Sequence, residues 1–192
     1  MSNFTDFFPA AGGGGGGIPK YQEFTSSGTF TPTQALIDAG GRVSLFMVGG
    51  GASGKDAGSW YVGGTGGEVI FKLDTLTSTS GIVITIGAGG NNSAGGNSIF
   101  AGSSAGGTNI TSYGGSYSNS QYNFIDDRLS SGAGAASGSG EWHTAQNGTF
   151  GYGAGGAGYY QPGVYNPKTN SGQGGLYSGA GASGFIRVTW FE

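Results

Sequence analysis

Short apolar runs recur along the chain, several of them alternating with polar residues at a period of two. Val69, Phe71 and Leu73 alternate with Glu68, Lys72 and Asp74, the pattern of a half-buried strand. Gly81 to Ile86 predicts another, with Ile82, Ile84 and Ile86 on one face. The closing run Phe185 to Phe191 puts Ile186, Val188 and Trp190 together. Val43 to Val48 is nearly continuous in apolar residues and ends in Gly49-Gly50-Gly51, as a fully buried strand would. Phe24 and Phe30 lie either side of a Ser-Ser-Gly turn between Tyr21 and Pro32. Asn97 to Phe100 and Asn109 to Tyr113 are shorter candidates, and only Thr33 to Gly40 has room for a helical turn. The expected class is all-β.

Between these runs glycines recur three apart: Gly51 and Gly54, Gly63 and Gly66, Gly87 and Gly90, Gly172 and Gly175, Gly181 and Gly184. Polyproline II has three residues per turn and no internal hydrogen bonds, so glycine at every third position lets such threads approach and pair laterally. Tight turns that need positive φ are the other use such glycines could have.

Composition sharpens this choice. Glycine supplies 46 of the 192 residues, so an ordered chain must recover a large backbone entropy loss. Aromatic residues at 13% and charged residues at 9% are not the balance of a disordered segment. The formal net charge is −3, and the basic residues Lys20, Arg42, Lys55, Lys72, Arg128, Lys168 and Arg187 form no run. A surface that tracks nucleic-acid phosphates is therefore not expected. Membrane insertion is not expected either, because no apolar stretch approaches about 20 residues. The N-terminus lacks the positive region of a secretion signal. With no cysteine, a disulfide framework is excluded.

Residues 1–19 read as an attachment segment: Phe4, Phe7, Phe8 and Pro9 form an apolar hook, and Gly12 to Gly17 a tether. A loose terminus without a partner is the plainer use. Residues 20–192 form the glycine-rich β domain, with tyrosine-rich loops at about 112–178.

Candidate chemistry is sparse. Gly49-Gly50-Gly51-Ala52-Ser53-Gly54-Lys55 matches a phosphate-binding loop, but Asp56 stands where a hydroxyl residue belongs and Ala57 to Gly64 is no helix. His143, beside Trp142 and Glu141, has no second histidine or cysteine to share a metal. Asp126 and Asp127 lack the ligand spacing of a calcium loop and read as a solvated turn. No catalytic, cofactor or metal residue is assigned. By contrast Tyr113, Tyr117, Tyr122, Trp142, Tyr152, Tyr159, Tyr160 and Tyr165 stand among Gly, Ser, Asn and Ala. That is the composition of recognition loops, in which rigid amphipathic rings sit beside adaptable hydrogen bonders. Rings filling gaps between glycine threads would give the same composition.

The order of pieces resembles the glycine-rich domain of phage tail-fibre and other virion proteins. It is carried by Phe24 to Pro32, Val43 to Gly51, Gly66-Gly67-Glu68-Val69, the strand into Ile86-Gly87-Ala88-Gly89-Gly90, and Gly184 to Val188. The arrangement is also similar to the glycine-rich ectodomain of anaplastic lymphoma kinase. The resemblance implies a jelly-roll-like β-sandwich with polyglycine threads inserted between strands. It also implies a virion location, other virion proteins as partners of the N-terminal segment, and a host surface protein or glycan as partner of the tyrosine-rich loops. A homotrimer is the expected assembly, since fibres are usually trimeric and a threefold axis lets three glycine surfaces close on one another. A fibre spacer, or a capsid or neck decoration, fits the same residues. An ice- or carbohydrate-binding glycine-thread protein is a third expectation.

Overall fold

A computed structural model describes residues 17–56, 61–102, 108–117, 136–137, 169–175 and 179–192. Its elements are β1 (Pro19–Phe24), β2 (Gly28–Phe30), α1 (Gln34–Asp38), β3 (Arg42–Val48), β4 (Lys55–Asp56), β5 (Tyr61–Val62), β6 (Val69–Thr75), β7 (Ile82–Thr85), β8 (Ser98–Phe100), β9 (Ile110–Ser112), β10 (Ala136–Ser137) and β11 (Phe185–Phe191). The fold is mostly β. It has two four-stranded antiparallel sheets, ordered β1-β11-β3-β6 and β2-β7-β8-β9, and a small sheet β10-β5-β4.

The two larger sheets share one core. Val43, Leu45 and Met47 of β3 and Ile186, Val188 and Trp190 of β11 meet Phe30, Ile82, Ile84 and Phe100 of the second sheet. Every second residue of each strand faces inward, so the alternation in sequence becomes the packed interface. Phe30 anchors it, with its ring 5.3 Å from Trp190 edge-on and 6.3 Å from Phe100. Leu36 of α1 plugs the same core, and Thr33 caps that helix by accepting from the Leu36 N–H at 3.1 Å.

One strand faces the other way from its sequence pattern. β6 pairs with β3 so that Phe71 stands beside Phe46, on the face opposite Leu45 and Met47. Val69 is buried there with Val48 and Phe185, but Phe71 is 58% and Leu73 81% exposed. Period two identified the strand correctly. Which side became the core was decided by the partner strand β3.

Backbone pairing just before β1 and just after β11 closes the pole where β1 begins and β11 finishes. Ile18 and Glu192 exchange backbone hydrogen bonds at 2.6 and 3.1 Å. The Glu192 carboxylate accepts from the Trp190 indole at 3.0 Å and from the hydroxyl of Thr33. These bonds, Thr33 first and then Trp190, hold its carboxyl below the ordinary value of 4.5. A depressed folded-state value contributes stability that is present above that ordinary value and lost as pH falls through the lowered one. We therefore expect acid titration followed by circular dichroism to show a Glu192-dependent loss of stability beginning below about pH 4.5. Glu192→Gln should remove that component and leave the neutral-pH fold unchanged.

Candidate functional site

The distinctive feature lies where the sheets run out. β3 continues into 49–54, and residues 63–68 lead into β6. β7 continues into 87–90, 93–96 precede β8, β9 continues into 113–116, and 179–184 lead into β11. A seventh segment, 172–175, joins them through backbone bonds at Gly172, Gln173 and Gly175.

Segment 49–54 is the axis of this bundle. Gly49 and Ala52 donate to Glu68 and Thr65 at 2.9 and 2.9 Å. Gly50 and Ser53 donate to Gly96 and Ser93 at 2.9 and 3.1 Å, and Gly51 and Gly54 to Ala182 and Gly179 at 2.8 and 2.9 Å. Residues three apart thus address the same neighbour, which is the repeat of a polyproline II thread. In the other direction, the carbonyls of Gly50, Gly51 and Ala52 accept from Gly115, Gly90 and Gly175 at 2.8, 2.8 and 2.7 Å.

The surrounding segments also bond to one another and close a ring. In order they are 87–90, 93–96, 113–116, 63–68, 172–175 and 179–184, with bonds such as Gly96 to Ala88, Gly95 to Gly115, Glu68 to Tyr113, Gly67 to Gly172, Ala182 to Gln173 and Gly181 to Gly90. Donors to the axis and acceptors from it alternate around the ring, and so do chain directions. Each segment is therefore antiparallel to both of its ring neighbours.

Such spacing leaves no room for side chains at the contacts. A Cβ on Gly51 would lie closer than 3.0 Å to the carbonyl oxygens of Gln173 and Gly172, and one on Gly50 equally close to those of Ala88 and Gly87. Neither residue is among those with positive φ, so close approach rather than turn geometry demands glycine here. Side-chain hydroxyls stitch the junction with the sheets. Buried Ser98 donates to the Val48 carbonyl at 2.6 Å and accepts from the Gly87 N–H at 3.0 Å. Ser112 donates to the Glu68 carbonyl at 2.6 Å.

This geometry disposes of the phosphate-loop match. The N–H groups from Gly49 to Gly54 all bond within the bundle, so none is left to cradle a phosphate. Among the described residues no group of His, Asp or Glu is arranged to hold a metal ion.

Of the predicted recognition residues, Tyr113 and Tyr117 are described. Tyr113 sits at the junction, 43% exposed, with its N–H donating to the Glu68 carboxylate at 2.9 Å. Tyr117 follows the end of its thread at the far pole, half-buried, with the Lys55 ammonium 5.1 Å from its ring centroid. Tyr122, Trp142, Tyr152, Tyr159, Tyr160 and Tyr165 lie outside the described residues, as do Phe4, Phe7, Phe8, Pro9, Asp126, Asp127 and His143. Lys55 was missed as a partner for Tyr117, because nothing in a sequence separation of this size announces a cation over a ring.

Gly51→Ala should destabilise the chain by about 3 kcal/mol in urea unfolding, since only backbone could yield to the new methyl. Gly28→Ala is the control: its Cβ would meet the Phe24 ring at 3.8 Å, an ordinary contact. It should shift stability by less than about 0.5 kcal/mol.

Compared with known protein families, with curated proteins and with solved structures, the chain matches none.

Proposed function

We propose that the chain is a phage virion structural protein, a tail-fibre or receptor-binding tip without catalytic activity. In this reading a jelly-roll-like β-sandwich with polyglycine-II-like threads carries a hook at one end and recognition loops at the other. Phe4, Phe7, Phe8 and Pro9 attach to another virion protein, and the tyrosine-rich loops, with Tyr159 and Tyr160 among them, contact a host surface protein or glycan. The mature assembly is a homotrimer in the virion.

The observation that supports this reading best is the polarity of the chain. Residue 17 leaves beside Glu192 at one pole, while Tyr117 ends a thread at the opposite one. β11 and its thread together span about 40 Å between those poles, at about 3.3 Å per strand residue and 3.1 Å per thread residue. A rigid spacer of this kind holds an anchor and a recognition surface apart. Threads locked by lateral backbone bonds keep the two poles at a fixed separation.

A non-adhesive spacer or decoration is the second reading. It is favoured by Tyr117, whose ring is already engaged by Lys55 rather than offered to a partner.

A pull-down of host-cell envelopes by the isolated protein separates the two. The adhesin reading expects capture that is lost in a Tyr159→Ala/Tyr160→Ala double variant with unchanged unfolding. No capture at any protein concentration would exclude the adhesin role and select the spacer.

A further inference from the structure

The sheet β1-β11-β3-β6 has a second face, turned away from the core, and its β3–β6 side carries a cluster of apolar residues. Val69, Val48 and Phe185 form its buried floor with Phe46 packed against them. Phe46 lies 4.8 Å from the Phe71 ring and 6.0 Å from that of Phe185. Arg187 extends the row, with its guanidinium over Phe185 at 5.7 Å and over Tyr21 at 5.9 Å while it pairs with Glu23 at 2.5 Å. Beside this floor stand Phe71 and Leu73 of β6, 58% and 81% exposed, while Tyr21, 68% exposed, lies on β1 across Thr189 and Ser44. Grouped exposed apolar residues of this size mark a surface that something covers.

The position and length of the N-terminal segment identify the occupant. The chain reaches the sheet at Gly17, where a Cβ would touch the Cβ of Phe191 at 3.2 Å, and Phe191 is itself on this face. From Gly17 back to Pro9 the tether spans up to about 27 Å, at about 3.4 Å per residue. Crossing from β1 to β6 takes three strand spacings, about 14 Å. The hook that this tether carries is Phe4, Phe7, Phe8 and Pro9, apolar and aromatic like the face it can reach. The six glycines Gly12 to Gly17 put no side chain in the way of such a path.

We propose that residues 4–9 dock on this face of their own chain, against Phe71 and Leu73. The hook is then stored on the subunit, and an attachment partner must displace it. Aromatic rings that would draw unassembled subunits together are covered until that exchange occurs. The docking concerns only this chain's own residues and is tested apart from the virion reading, whereas the displacement step rests on the attachment partner of that reading.

The absence of cysteine makes the test clean. In the full chain, Asp6→Cys is combined either with Thr75→Cys, on this face beside Leu73, or with Val83→Cys, exposed on the outer side of the other sheet. Disulfide formation under a mild oxidant is followed by peptide mapping. Docking raises the local concentration of the hook at its own site, so the 6–75 link should form roughly tenfold faster than the 6–83 link. That advantage should vanish when Phe4, Phe7 and Phe8 are all replaced by alanine. Equal rates in the parent pair overturn the proposal, and so does an advantage that survives the triple replacement. A single Thr75→Cys variant that forms 75–75 dimers faster than the double variant closes its internal link would assign the face to a second copy, which also overturns it.

Discussion

The bonds made by the backbone of residues 49–54 are the constraint on which the rest depends. Each N–H from Gly49 to Gly54 reaches a neighbouring segment, and the direction repeats every third residue. That repeat is possible only for an extended threefold thread, which has no internal hydrogen bonds and so must find partners sideways. Buried backbone groups without partners are costly, so all the surrounding segments have to be in place together. The bundle therefore favours all-or-none assembly, and glycines such as Gly50 and Gly51 are fixed by contact rather than by backbone conformation.

The two sheets supply the scaffold for this. Their strands deliver six of the seven segments, running in both directions, and antiparallel sheets thereby continue into an alternating ring. The junction is where the two regimes meet, and small hydroxyl residues mark it. Ser98 and Ser112 donate to the Val48 and Glu68 carbonyls, the second of which also accepts from the Gly49 N–H of the axis. A hydrophobic core on one side and a hydrogen-bonded, nearly side-chain-free core on the other give the molecule two kinds of interior. The first is held by apolar burial around Phe30, the second by lateral backbone pairing.

Polarity follows from the same construction. The strands and threads are collinear, so the start of β1 and the end of β11 gather at one pole and the thread tips at the other. The outer face around Phe71 belongs to the sheet and not to the bundle, and it lies on the same side of the chain as Phe191 and the start of the tether. Attachment, spacing and presentation can then occupy separate places in a small chain, which is what the proposed virion role requires.

Much of the local structure was legible in the sequence. The runs at 82–85 and 185–191 are strands in which apolar residues alternate, 43–48 is a strand because its run is nearly continuously apolar, and α1 forms behind Thr33 as its short window allowed. The glycine spacing was legible too: Gly51 and Gly54 share one neighbour, and Gly181 and Gly184 share another. What spacing left open was whether those glycines serve threads or turns, because both uses need a residue without a side chain. Only the tertiary structure decided it, by setting the carbonyls of Gln173 and Gly172 against Gly51. Tertiary structure likewise turned Phe71 and Leu73 outward, because the face a strand buries is fixed by the register of its partner and not by its own alternation. Local pattern determined which segments are strands and where backbone could approach backbone; long-range pairing determined which backbone it met and which face was covered.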